Sequence, residues 1–343
     1  MNEILFLYNW VPLTQKRGAY AECAGTNTVN DIKKALHALG HYVICVNLLN
    51  QEQLERLVNY HHIGRAFVIA EGYLDFPESL YDGSGAASIR RVLQSMGVVS
   101  THSAAEVMEL CRNKDLTYKV LQEAELPIPR HVCFNLADNN IAEQIATAQW
   151  QVNYPMFVKP TGGGNSIGID EKSVINNAQE LRTVLERLVN SYGITHALAE
   201  SYLPGQEFTV GVMGHQEKYV LPILGFPANF PVRSNAVKKI EAEQRDKFQI
   251  LYPTDSRYAR LQHLALKTFE ALGAKGVIRI DMKEDIDGNP YIIDVNGTPS
   301  LSAKGSLAFM SEHNGMTFRD LIGSVLKEQP LYQGVVEEDV LIV

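Results

Sequence analysis

Two aspartates, an arginine and an asparagine near the carboxyl end are spaced to hold a metal ion. The segment Gly276-Val-Ile-Arg-Ile-Asp-Met-Lys-Glu-Asp-Ile-Asp-Gly-Asn-Pro-Tyr-Ile-Ile-Asp-Val-Asn296 reads as two β-rich runs around Asp287-Gly288, a dipeptide that accepts the positive φ of a two-residue hairpin turn. Pairing outward from that turn sets Ile286 opposite Asn289, Asp281 opposite Asp294 and Arg279 opposite Asn296. Strand alternation puts Arg279, Asp281, Asp294 and Asn296 on one face and leaves Ile280, Met282, Ile293 and Val295 for an apolar one. Directly opposed carboxylates repel unless something neutralises them. A divalent cation would do so, and Mg2+ takes hard oxygen ligands, commonly one or two carboxylates together with substrate phosphates. A solvated hairpin with ordinary surface charges fits the same residues when they are taken alone.

A second group points to phosphate. Val158-Lys159-Pro160-Thr-Gly-Gly-Gly-Asn-Ser-Ile-Gly168 follows a short apolar run. Its glycines let backbone N–H groups surround a phosphate, and Lys159 supplies a point charge. The loop is not of the Walker type, because Gly168 is followed by Ile-Asp-Glu rather than by Lys and a hydroxyl residue. Alone it also fits a hairpin tip. Glu200 and Glu207 flank the junction of two strand-like runs, and Lys114 lies on an amphipathic segment; ordinary solvated side chains would look the same.

The elements that must carry these residues follow from periodicity. Apolar runs at 4–8, 42–48, 66–70 and 98–99 alternate with amphipathic stretches at 28–39, 51–58 and 88–96, which predicts a doubly wound parallel sheet. Gly40 and Gly97 stand where left-handed helix caps are wanted. Leu126-Pro-Ile-Pro129 ends the helical pattern of 114–124 and marks a break near residue 130. Strands are expected at 156–159, 197–202 and 208–213, helices at 178–190, 256–272 and 317–327.

Composition narrows the function. A chain of 343 residues with 45% hydrophobic content can bury two or three cores, and a formal charge of −8 argues against a broad nucleic-acid footprint. No apolar run reaches the roughly 20 residues of a membrane span, and the amino-terminal residues lack a basic start and cleavage region, so a cytoplasmic protein with no membrane partner is expected. Cys23, Cys45, Cys111 and Cys133 are scattered singly and read as buried thiols.

In chain order these signals form a pattern: Lys114 before Leu-Pro-Ile-Pro, Phe-Val-Lys159-Pro with its Gly-rich Ser-Ile-Gly loop, Glu200 through Gly-Gln-Glu207-Phe-Thr-Val, Arg279-Ile-Asp281 and Asp294-Val-Asn296. From about residue 90 to 327 the chain resembles the D-alanine–D-alanine ligase branch of the ATP-grasp superfamily. The resemblance implies an α/β protein whose ATP-binding half is α+β: an ATP-grasp fold behind an amino-terminal doubly wound domain, with units at 1–112, 113–218 and 219–343. It implies an ADP-forming ligase that activates an oxygen of one small substrate as a phosphate and joins it to the amine of an amino acid. Lys114 and Lys159 would hold ATP phosphates under the loop containing Gly164, Asn165 and Ser166. Glu200 and Leu203 would meet adenine, and Glu207 the ribose. Asp281, Asp294 and Asn296 would coordinate two Mg2+ ions, Mn2+ being the alternative, with Asp294 where the family usually has Glu. Arg279 would stabilise the oxyanion, and a lysine from 230–247 would close over the site, Lys239 first, Lys238 or Lys247 otherwise.

The substrate-side segments depart from that pattern. Gly18-Ala-Tyr-Ala-Glu-Cys-Ala-Gly-Thr-Asn-Thr-Val-Asn30 lacks the family's Glu-Val-Ser and leaves Glu22 displaced, and Asn165 replaces a serine. The acceptor loop reads Asn296-Gly-Thr-Pro-Ser300-Leu-Ser-Ala-Lys-Gly305-Ser306. Tyr20, Glu22, Ser300 and Ser302 are the substrate-side candidates. The expectation is a ligase for a different amino acid or a specialised metabolite, such as the imine-forming ligases of mycosporine pathways. Its substrates would be an amino acid and a carboxylate-, hydroxyl- or keto-bearing donor. The sequence leaves the oligomeric state open, and a homodimer is the form the resemblance allows, members of that family often being dimers. The competing readings are a non-catalytic ATP-binding regulator and an ATP-grasp carboxylase or small-molecule kinase. Joint retention of Arg279 with the metal face argues against both.

Overall fold

The computed structural model describes residues 3–326 except 82, 139, 165–166, 215–216, 228–231, 235–236 and 238–247. Ile4, Leu5, Phe6 and Leu7 form an unbroken apolar run, and all four are fully buried, as a central parallel strand covered on both faces requires. That strand, β1 (Glu3–Tyr8), lies between β2 (Tyr42–Asn47) and β3 (Arg65–Val68), with β4 (Val99–Ser100) outside, in the order β2-β1-β3-β4. All three pairings are parallel. Helix α1 (Thr26–Ala38) covers one face through Ile32 and Leu36, while α2 (Gln51–His61) and α4 (Ser84–Ser95) cover the other, with the short α3 (Glu78–Tyr81) between them in sequence. The expected doubly wound sheet is therefore observed, and Gly40 and Gly97 have φ of 87° and 73° after α1 and α4.

Helices α5 (Ala105–Arg112) and α6 (Lys114–Glu123) follow. A four-stranded antiparallel sheet then contains β5 (His131–Asn135), β6 (Met156–Pro160), β7 (Val174–Ile175) and β8 (His196–Ser201) in the order β5-β8-β6-β7. Its core is closed by α7 (Ile141–Gln151) and α8 (Ala178–Tyr192).

The largest sheet is antiparallel and carries the hairpin. Its strands are β9 (Glu207–Gly214), β10 (Lys218–Val220), β11 (Ile223–Gly225), β12 (Gln249–Leu251), β13 (Gly276–Glu284) and β14 (Pro290–Asn296). Their order is β12-β11-β9-β13-β14, with β10 beside β9. One face buries Phe208, Val210, Ile278, Ile280 and Met282 against α6 and α9 (Tyr258–Ala271). The other is divided: Met213 and Val277 lie under α10 (Ser306–His313) and α11 (Phe318–Val325), and beyond them Arg279, Asp281 and Lys283 line an open cleft.

The hairpin corrects part of the sequence reading. Arg279 does pair with Asn296 and Asp281 with Asp294, but Ile286 does not face Asn289. The Asp285 amide instead donates to the Asn289 carbonyl at 2.9 Å, making the loop three residues long. The Asp285 carboxylate holds it there by accepting from the amides of Asp287 and Asn289, and Gly288 takes a φ of 78°. This one-residue lag is recovered by a β-bulge: register shifts between Asp281 and Met282, which leaves Ile293 as the extra residue. Ile292 rather than Ile293 therefore enters the core, and Ile293 borders the cleft.

Candidate functional site

The cleft holds about 980 Å³ of space, open solvent at its mouth included, between the open face of the large sheet and β6 and β8, the two inner strands of the four-stranded antiparallel sheet. It collects side chains from six elements, α6, β6, β8, β9, β13 and β14. Lys114 arrives from the first turn of α6, where Asn113 caps the helix by accepting from the amides of Asp115 and Leu116. The Lys114 amide itself donates to the Thr161 carbonyl at 2.9 Å, which ties that helix start to the Gly-rich loop. Lys159 stands on β6 and Glu200 on β8; Leu203 and Gly164 lie on the adjoining loops, and Glu207 opens β9.

The hairpin face is strongly ionic. Arg279 donates from Nε and Nη2 to the two oxygens of Asp281 at 3.1 and 2.9 Å, and Thr209 Oγ1 donates to the same carboxylate at 2.6 Å. Burial works against the Arg279 charge, but Asp281 and then Asp294 more than offset it and raise the guanidinium above its ordinary range. Asp294 lies 3.5 Å from the Lys114 ammonium. Asn296, the remaining member, accepts the Thr298 amide through its side-chain oxygen at 3.1 Å.

These residues fit Mg2+. The donors are all hard oxygens, and two opposed carboxylates with one amide fall short of a complete cage, as suits an ion that also takes phosphate oxygens. Asp294 is the more open carboxylate, with about a third of its side chain exposed, whereas Asp281 is held by Arg279 and Thr209.

Deeper in the cleft, Lys159 and Glu200 form a buried ion pair at 2.8 Å. Tyr118, one helical turn beyond Lys114, puts its hydroxyl 2.8 Å from Glu200 and 3.1 Å from Lys159. The bulge at Ile293 turns a carbonyl into the same group, 2.8 Å from Lys159 and 3.0 Å from the Tyr118 hydroxyl. At the mouth, Glu207 pairs with Arg233 at 2.5 Å, and Arg233 stacks over Phe226. Lys283 lines the same end; burial depresses its ammonium pKa, against the pull of Glu207.

The substrate-side candidates are placed otherwise. Tyr20, Glu22, Ser300 and Ser302 do not line this cleft. Tyr20 donates weakly to the Leu74 carbonyl at 3.4 Å, Ser300 is exposed, and Ser302 builds a local turn with Lys304 and Gly305. Glu22 is drawn behind the Gly-rich loop by Arg112, which bridges it at 2.8 Å and Glu71 at 3.1 Å. A side chain at Gly164 would collide with the Glu22 carboxylate. Asn165, Ser166, Lys238, Lys239 and Lys247 lie outside the described residues.

Sequence reasoning missed Tyr118, Arg112, Arg233 and Lys283. Tyr118 had a signal, since four residues after Lys114 it shares that residue's helix face. Arg112 had one as well, as a charged residue inside an otherwise apolar helix face. Nothing local marked the Arg233–Glu207 pair.

Residues 120–327, more than half of the chain, match the family model described as D-ala D-ala ligase C-terminus. Among curated relatives, the D-alanine–D-alanine ligase of Desulforudis audaxviator is 26% identical over 300 residues, 85% of this chain and 89% of that protein. The corresponding ligase of Stutzerimonas stutzeri is 28% identical over 277 residues, 80% of each. Among solved structures, the ATP complex of D-alanine–D-alanine ligase from Bacillus anthracis superposes with a TM-score of 0.70 at 16% identity, covering 95% of this chain and 97% of the other. The VanG D-Ala:D-Ser ligase of Enterococcus faecalis gives 0.68 at 16% identity, over 95% and 98%. The expected ATP-grasp fold is thus the one observed. By this match the protein belongs to the D-alanine–D-alanine ligase C-terminus family and is an ATP-grasp ligase that forms a carbon–nitrogen bond and releases ADP.

Proposed function

We propose that this ligase uses Mg-ATP to phosphorylate an oxygen of one small donor and then joins that donor to the amine of an amino acid. The observation that carries the reading is the convergence, in one cleft, of Lys114, Arg279 and the opposed Asp281 and Asp294. Asp281, Asp294 and Asn296 would hold the divalent ions, which when bound offset phosphate charge. Lys114 faces the transferring phosphoryl, and Arg279, anchored on Asp281, receives the oxyanion that forms as the amine attacks. Glu207 takes the ribose and Glu200 with Leu203 the adenine. Catalytic or substrate roles for Lys239, Ser300, Ser302 and Tyr20 belong to this proposal as well, as do two Mg2+ or Mn2+ ions, a cytoplasmic location and a homodimer.

A second reading, an amino acid joined to a non-peptide donor, is favoured by the Glu22–Arg112 pair. A carboxylate already neutralised by an internal guanidinium offers little to a substrate ammonium.

Phosphate release from ATP, measured with amino acids singly, in pairs and against keto and hydroxyl donors, tests both. Release with amino-acid pairs alone supports the peptide product; release only with a non-amino donor supports the second. Mn2+ binding in the presence of ADP, followed by electron paramagnetic resonance, should be lost in Asp294→Ala. Retained Mn2+ binding would remove Asp294 from the metal site whatever the activity does.

A further inference from the structure

We infer that Tyr118 is a positioning residue of the nucleotide site: its single hydroxyl proton can go to either Glu200 or the Ile293 carbonyl, so that Lys159 can release that partner and turn to a phosphate. This rests on the reading of the cleft as an ATP site. A lysine ammonium has three donors, and here all three are engaged: Glu200 Oε1 and the Ile293 carbonyl at 2.8 Å, and the Tyr118 hydroxyl at 3.1 Å. As folded, Lys159 has no donor left for a phosphate oxygen. To bind one it must give up at least one partner, and those partners are buried.

Leaving a buried carboxylate or carbonyl unpaired is costly. Glu200 is only 3% exposed, and its side-chain hydrogen bonds among the described residues come from Lys159 and Tyr118. The Tyr118 hydroxyl, on a side chain with 0% exposure, lies 2.8 Å from Glu200 Oε2 and 3.0 Å from the Ile293 carbonyl. It can therefore serve either acceptor when Lys159 departs. Burial and then Glu200 push the phenol pKa well above its ordinary value, so the proton remains available to donate. The ring contributes too, since the Lys159 ammonium lies 5.4 Å from its centroid. The hydroxyl thus spans β6, β8 and the β14 bulge next to Asp294, and it couples the adenine end of the cleft to the metal end.

Tyr118→Phe keeps the ring and removes only the hydroxyl. The expected result is a Kd for ADP raised about tenfold, which corresponds to one lost buried hydrogen bond. The KM for ATP should follow it, with kcat and the KM of the amino-acid substrate within about twofold of wild type; a merely structural loss would not spare both. Wild-type protein that binds no ADP would refute the ATP-site reading itself. Wild-type protein that binds ADP, beside a Tyr118→Phe variant of equal affinity, would overturn the inference alone. If that variant does not fold, 3-fluorotyrosine placed at 118 retains the hydroxyl and reports by fluorine resonance. Its signal must shift on addition of ADP, and an unmoved signal in protein that binds ADP overturns the inference.

Discussion

At the scale of single residues the site is governed by buried charges that already have partners. Arg279 is worth more as a fork than as a charge, because it meets both oxygens of Asp281. Arg279→Gln should destabilise the fold by about 3 kcal/mol, the usual cost of orphaning one member of a buried pair, and abolish phosphate release. Urea denaturation checks the first effect, and Arg279→Lys should fall between wild type and Gln in both. The thiols follow the same logic. Burial pushes Cys111 up to about 12, with Asp294 adding to it, and pushes Cys23 up to about 11. Contrary to the expectation of four buried thiols, Cys45 is only half-buried and Cys133 is exposed, yet desolvation at its sulfur and the Asp115 carboxylate to which it donates raise Cys133 to about 12. At pH 8 almost no thiolate forms, so a disulfide reagent such as DTNB should label these cysteines at least about tenfold more slowly in the folded than in the unfolded protein.

At the scale of elements, two local devices place the chemistry. The Asn113 cap fixes where α6 begins and hence where Lys114 points. Asn113→Ala should cost about 1 kcal/mol and raise the KM for ATP, whereas Asn113→Asp should retain both values because it keeps the accepting oxygen. The second device is the β13–β14 hairpin, whose loop residues 286–288 do not line the cleft and whose register is reset by the bulge. Gly288→Ala, at a φ of 78°, should cost about 1 kcal/mol in a denaturation series. Turnover should be unchanged, because the Asp281–Asp294 pairing lies beyond the bulge and is also held by the β9–β13 ladder.

At the scale of the molecule, Arg112 joins the amino-terminal unit to the nucleotide half by bridging Glu22 and Glu71, with Arg90 buried behind them at 2% exposure. Burial raises the Glu71 pKa above its ordinary 4.5, and Arg112 pulls it back. Arg112→Met removes that pull. A carboxyl whose folded pKa is raised contributes stability below its unfolded pKa and loses it as pH rises through the folded value. The variant should therefore lie closest to wild type below about pH 4.5 and fall behind as pH rises, reaching a deficit of about 3 kcal/mol near neutrality. Thermal unfolding across pH checks this, and a gap independent of pH would remove Glu71 from the account. The amino-terminal sheet also shares one apolar cluster with Leu307, Met310 and Leu321 of the carboxyl-terminal helices. The division at 112/113 and 218/219 remains a proposal about sequence units, which limited proteolysis would test.

The sequence by itself determined the order of the chemical residues and the elements that carry them, because strand alternation, helix period, capping and turn preference act over a few neighbours. It even paired Asp281 with Asp294 and Arg279 with Asn296, although through two one-residue offsets that cancel. Only the tertiary structure decided where those offsets fall, since the bulge exposes a carbonyl whose donors, Lys159 and Tyr118, lie 134 and 175 residues away. The same holds for the partners of the buried charges: Lys159 with Glu200, Glu207 with Arg233 and Glu22 with Arg112 are 41, 26 and 90 residues apart. Such pairs form where packing removes water and brings opposite charges within reach of each other, a condition that no local periodicity encodes.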